Sequence, residues 1–177
     1  MARRRLLTEN ERQRLFDPPA SESAIIAHYT LSSEDMELAG RRYGATNRLG
    51  LAAQIALMRH PGFGLQADDD VPKRVLQYLA AQLFVDAAAF NRYGERAQTR
   101  NDHAEIVARY LGLRAFRRSG IPLALALAAK AAERSDRGEP IVRALMDGLR
   151  DNRFILPSPD TLERASIAGR ARARKAA

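Results

Sequence analysis

Ser32-Ser-Glu-Asp-Met-Glu-Leu-Ala-Gly-Arg-Arg-Tyr-Gly-Ala-Thr-Asn-Arg-Leu-Gly-Leu-Ala-Ala-Gln-Ile-Ala-Leu-Met-Arg-His60 reads as two helices and a tight turn. Ser32 and Asp35 have the spacing of a capping box, which opens a helix over 33–43 that stops at Gly44. Thr46 and Asn47 would cap a second helix through His60. Leu49, Ala53 and Ala56 form one apolar stripe of that helix, and Leu51, Ile55 and Met58 form another. A helix apolar on both sides is largely buried. Only Thr46, Asn47, Arg48, Gly50 and Gln54 could then reach outward. In a helix-turn-helix the second helix sets its N-terminal residues on base edges while the first crosses the backbone, here with Arg41 and Arg42. An ordinary helical hairpin with a capping Thr or Asn fits the pattern equally well.

Helical signals continue on both sides. Thr8-x-x-Glu11 is a second capping box, opening a helix to about Phe16 before Pro18-Pro19, and Ser21 to His28 forms another helix. Phe63 to Val71 is a loop with the acidic run Asp68-Asp-Asp70. From Pro72 to about Phe84, Val75, Leu76, Leu79 and Leu83 recur at helical spacing. Asp86 caps a short helix to Tyr93, and Arg96 to Leu111 forms the next. Gly112 to Phe116 is a C-cap and turn. Pro122 and Pro140 open Ala- and Leu-rich helices to about Arg134 and Arg153. The last helix, Asp160 to Lys175, loses its apolar stripe after Ile167 and is expected to fray. No strand-like alternation of useful length occurs, so the expected class is all-α.

The chain of 177 residues has 46% hydrophobic residues and no cysteine, which excludes disulfides and thiolate chemistry and suits a cytoplasmic setting. No apolar run is long enough to span a membrane. Residues 1–90 balance 11 Lys+Arg against 11 Asp+Glu, whereas 91–177 hold 18 against 10. Nearly all the basic residues are Arg, which suits bidentate contacts to phosphate and guanine. That asymmetry favours a polyanionic partner.

Tyr93-Gly-Glu-Arg-Ala-Gln-Thr-Arg-Asn-Asp-His103 concentrates Arg96, Gln98, Thr99, Arg100 and His103 at the start of a helix after a glycine break. Donors to phosphates and base edges gather there where the helix end already attracts anions. Arg96 and Arg100 share a face. His103 lies on the stripe of Ile106, Val107 and Tyr110, so a core role fits it at least as well. Residues 76–93 also have helix-turn-helix spacing, yet Asp86-Ala-Ala-Ala-Phe-Asn-Arg-Tyr93 is poor in contact residues and reads as structural. Catalytic patterns are missing: His28, His60 and His103 lack metal-ligand spacing, and neither a glycine-rich phosphate loop nor a nucleophile elbow occurs. No cofactor or metal is expected.

Five ordered segments carry a family resemblance. His28-Tyr-Thr30, Arg41 to Gly50, Leu57-Met-Arg-His-Pro-Gly62, Tyr93 to Arg100 with His103, and Leu156-Pro with Leu162-Glu-Arg164 together resemble the N-terminal region of Tn3-family transposases, a DUF4158-like segment, over roughly residues 1–170. Phe84 departs from the pattern, where a small or polar residue is common. The resemblance implies helical domains that recognise the terminal inverted repeats of a transposon, with catalysis in a distant RNase H-like domain. It implies Arg41, Arg42, Thr46, Asn47, Arg48, Arg96, Gln98, Thr99, Arg100 and His103 as DNA contacts.

The expected organisation is a helical DNA-binding subdomain over 1–66, a second over 67–157 with bracing helices, and a basic helical linker over 158–177. The expected function is sequence-specific binding of double-stranded DNA at terminal inverted repeats, without catalysis, with Gln54 added to the contact set. The alternative is a helical interaction or self-association module, built on 122–134 and 140–153, with only non-specific DNA affinity.

Overall fold

Local signals set most helix ends. The computed structural model describes residues 5–176 and contains, among them, nine α-helices, one 3-10 helix and no strand. These are α1 (Glu9–Phe16), α2 (Glu22–Tyr29), α3 (Ser33–Gly40), α4 (Ala45–Arg59), α5 (Lys73–Leu83), the 3-10 helix Ala87–Arg92, α6 (Ala97–Leu111), α7 (Gly120–Ala132), α8 (Gly138–Asp151) and α9 (Pro159–Ala176). The chain is all-α, as its sequence predicts. Both capping boxes form: the Glu11 carboxylate accepts from the Thr8 amide at 2.7 Å, and Asp35 accepts from the Ser32 amide at 2.9 Å. Gly112 closes α6 in the left-handed region at φ 64. Phe84 does the same for α5 at φ 56 with its ring 95% exposed. A residue with a Cβ costs about 1–2 kcal/mol there, which glycine would relieve in full and asparagine or aspartate in part. α4 differs from expectation: neither Thr46 nor Asn47 caps it, and it starts after Gly44 (φ 80) with no side-chain cap.

The chain divides into two compact units, and the division is not sequential. One unit is Pro18–Gly112; the other joins Met1–Asp17 to Leu113–Ala177. The expected boundary at 66 falls inside the first of these, because α4 packs against α6 and the 3-10 helix as well as against α3 and α5.

In the 18–112 unit α4 is the central rod. Every residue from Leu49 to Met58 is buried, which satisfies both apolar stripes at once. Burial of each large aliphatic side chain contributes roughly 1.5–3 kcal/mol. A buried ion pair ties helix ends around the rod. Asp35, fully buried at the start of α3, accepts both terminal nitrogens of Arg59 from the end of α4 and the Tyr110 hydroxyl at 2.7 Å from α6. Burial pushes the Asp35 carboxyl up, but the Arg59 guanidinium, the Ser32 amide and Tyr110 outweigh it and hold it low.

In the other unit α1 joins the three C-terminal helices. Arg12 pairs with the buried Glu163 of α9, Arg14 with Glu139 of α8 at 2.9 Å, and Glu163 also accepts the Leu6 amide at 3.2 Å. α7 lies close against α9 through small residues: a Cβ at Gly169 would stand 2.5 Å from the Ala128 Cβ. α8 contributes Ile141, Val142, Leu145, Met146 and Leu149 to the core. The last helix packs against α7 and α8 within this unit. It continues to Ala176, with Arg174 bonding both carboxylate oxygens of Asp136 at 2.9 and 2.7 Å.

Candidate nucleic-acid interface

The two contact-rich stretches of sequence, 41–48 and 93–103, meet inside the 18–112 unit. Gly50 is the meeting point: a Cβ there would lie 2.0 Å from the Tyr93 ring, so only glycine lets the ring rest on α4. The buried Gln54 amide nitrogen donates to the Arg100 carbonyl at 3.1 Å and to the Tyr93 hydroxyl at 3.3 Å, and its oxygen accepts the Leu65 amide at 3.4 Å. The Tyr93 hydroxyl also meets His103 Nδ1 at 3.0 Å, with the two rings stacked at 5.6 Å. Burial raises the Tyr93 phenol to about 12, so it remains a neutral donor. At 1.5 Å of rise per residue, Thr46 and Arg96 each lie about 6 Å along their helices from this knot.

Both helices begin alike. Gly44 and Arg96 supply no side-chain cap, and neither first turn contains an acidic residue. First-turn amides with no side-chain acceptor are positive poles for an anion. Basic and amide side chains surround them: Arg48 and Arg96 are exposed, and Thr46, Asn47 and Thr99 half-buried. Gln98, also exposed, donates to Asp102 at 2.6 Å. Arg41 is exposed and paired with Glu37.

Several predicted contacts are turned inward or used to brace the surface. Gln54 is fully buried, with its amide committed inside the unit, so it cannot touch a groove. His103 is 5% exposed and acts as a core partner of Tyr93. Burial, reinforced by the charge of Arg42 and opposed by Asp102, holds its pKa below the ordinary value. Arg100 bends back to the Gly94 carbonyl at 3.1 Å. Asn47 donates to the Tyr43 carbonyl at 3.0 Å, and Arg48 Nε donates to the Arg42 carbonyl at 3.0 Å. Arg42 itself is half-buried, with an Nε that has no acceptor among the described residues.

Those bonds hold the 41–44 turn in a shape that projects Tyr43, whose side chain is 95% exposed. Sequence reasoning passed over Tyr43. The signal was an aromatic set between Arg42 and Gly44 at the tip of a turn, where no core could receive it.

Charge divides sharply between the units. Residues 18–112 carry 10 Lys+Arg and 11 Asp+Glu; the rest of the chain carries 19 and 10. The basic excess of the sequence therefore sits outside the unit that contains the predicted contacts.

Among the described residues no helix is long and apolar enough to cross a membrane. Residues 6–169 match the family described as "Domain of unknown function (DUF4158)". The chain is 35% identical to the transposase for transposon Tn501 of Pseudomonas aeruginosa over 99% of its own length and 18% of that protein's. It is 34% identical to the transposase for Tn3926 of Escherichia coli, again over 99% and 18%. The transposase for Tn1546 of Enterococcus faecium shares 30% over 97% of this chain and 17% of its own length. The chain thus spans less than a fifth of these relatives, in their N-terminal part.

Proposed function

The chain belongs to the DUF4158 family, found in the N-terminal part of Tn3-family transposases, and on that premise we propose that its 18–112 unit reads double-stranded DNA at transposon terminal inverted repeats. The carrying observation is the joining of two uncapped, acid-free helix N-termini through Gly50, Gln54, Tyr93 and Arg100. One rigid surface then meets the duplex where two separate readers were expected. Phosphates approach the amides of the first turns of α4 and α6, with Arg48 and Arg96 beside them. Tyr43, Thr46, Gln98 and Thr99 face base edges or sugars. Arg42, Gln54, Arg100 and His103 set the geometry from behind.

α4 cannot lie lengthwise in a major groove, because Leu49 to Met58 are all buried. It enters by its first turn only, the mode in which a helix-turn-helix places base-reading residues at the helix start. Cutting and joining DNA belong to parts of the relatives that this chain does not span. The self-association reading has less support: α8 buries its apolar face within its own unit, and α7 buries Ala124 and Ala128 there with Leu123, Leu125 and Leu127 half-buried, leaving Ile121 and Ile167 as the large apolar exposures on α7 to α9.

The test is a titration at near-physiological salt against a duplex carrying the terminal inverted repeat and against a scrambled duplex. A preference on the order of a thousandfold is expected. Equal binding to both would end the sequence-reading proposal.

A further inference from the structure

We propose that the other unit has its own binding site for the phosphate backbone of duplex DNA, formed by Arg114, Arg117, Arg118 and Arg153 at the entrance to α7. The inference rests on the reading that this chain meets duplex DNA, and not on which sequence it recognises. Two distant segments build the site. The Arg114 amide donates to the Arg153 carbonyl at 2.8 Å and the Ile155 amide to the Arg114 carbonyl at 2.9 Å, a short parallel bridge that pairs Arg114 with Phe154 and brings the backbone of Arg153 next to that of Arg114. The Arg114 guanidinium stacks on the ring of the buried Phe154 at 3.9 Å and spends its Nε on the Asn152 carbonyl at 3.1 Å. That fixes the plane of the guanidinium while leaving its two terminal nitrogens to donate.

Phe116 carries the bridge into α7. Its ring meets Phe154 edge-on at 5.9 Å and covers Gly120, where a Cβ would stand 2.5 Å away. Arg117 and Arg118 occupy the turn between that ring and the helix, with exposed side chains whose backbone carbonyls accept from Gly120 and Ile121. α7 starts at Gly120 with no side-chain cap and no acid in its first turn, and no acidic residue occurs between Glu105 and Glu133. Asp151 is the nearest carboxylate along the 150–154 segment. Four exposed guanidinium groups on a braced backbone, in the unit that holds the whole basic excess, complement a line of phosphates.

Backbone contacts release counterions and carry no sequence preference, so the salt dependence of binding isolates them. The experiment uses the whole chain, a scrambled DNA duplex and a salt series, with Arg117→Ser/Arg118→Ser compared with Lys130→Ser/Arg134→Ser. Both pairs remove the same charge from exposed positions on or beside α7. The first variant is expected to lower the slope of log affinity against log salt by roughly 2, and the second by clearly less. Circular dichroism and melting report that both variants fold. Equal slopes for the two variants would reduce the site to net charge and overturn it, as would an unchanged slope in the first. A loss seen with duplex RNA but not with DNA would overturn it in favour of an RNA partner. No preference of the unsubstituted chain for the terminal repeat over the scrambled duplex, with the slope effect intact, would instead sink the reading proposed for the 18–112 unit and leave this site standing.

Discussion

Residues 18–112 and the unit built from 1–17 with 113–177 are both helical, and both bury polar groups, Glu163 and Ser166 in the second, yet they differ in charge and in what those groups do. The first uses three to tie helices together. Asp35, Gln54 and His103 lie inside it and fix where the ends of α3, α4 and α6 stand. The second brings α7 against α9 through alanine and glycine, and most of its charge remains at the surface. A surface that reads sequence needs donors held in place; one that grips a polyanion needs only charge. On the proposed function, discrimination falls to the near-neutral unit and affinity to the basic one.

The largest expected effect tests the buried network. Arg59→Ala leaves Asp35 buried without its charge partner, and such losses cost about 3–5 kcal/mol. Arg59 is partly solvated and Asp35 keeps the Ser32 and Tyr110 donors, so a value near 3 kcal/mol is expected in urea unfolding. A loss below about 1 kcal/mol would show that the network does not hold this unit together.

A smaller effect compares the two close-packed glycines. Gly50→Ala drives a methyl into the Tyr93 ring, and Gly169→Ala drives one into Ala128. Overpacking costs roughly 1–3 kcal/mol at either site. Only the Gly50 variant should also lose preference for the terminal repeat, since Tyr93 joins the two helix starts. Matching losses of preference in both variants would erase the proposed division of labour.

The smallest effect is one of pH. His103 is held below its unfolded value of 6.5 by burial and by Arg42, so the fold favours its neutral form. The stability this contributes is complete above about pH 6.5 and is lost as pH falls through the folded value. Melting temperatures at about pH 7.5 and about pH 5.5 should drop further for the wild type than for His103→Gln. Equal drops would mean that His103 is not the group responsible.

Much of the helical framework is legible in sequence because its signals are local. Thr8 with Glu11, Ser32 with Asp35, Asp86 and Gly112 each act within a few residues and stand where the spacing predicts. The twin stripes of α4 likewise foretell its burial. The candidate site is only partly legible. Arg48, Arg96, Thr46 and Thr99 reach the surface, whereas Gln54 and His103 do not, and residue type does not separate the two groups. A glutamine on a buried helix is a cost unless something accepts its hydrogen bonds, and the acceptors are Tyr93 and Arg100, about forty residues away.

By itself the sequence determined the all-α class, the position of most helix ends, the family and the basic excess, since each depends on short-range pairing, on the order of motifs along the chain or on composition. Tertiary structure alone decided that α1 joins α7 to α9 through Arg12 and Glu163, and that α4 packs on the 93–103 stretch through Gly50 and Gln54. It also decided that the basic excess belongs to the unit of 1–17 with 113–177, and not to residues 18–112. Those outcomes depend on which helix faces bury against each other, and burial is a contest among distant segments that no local pattern records.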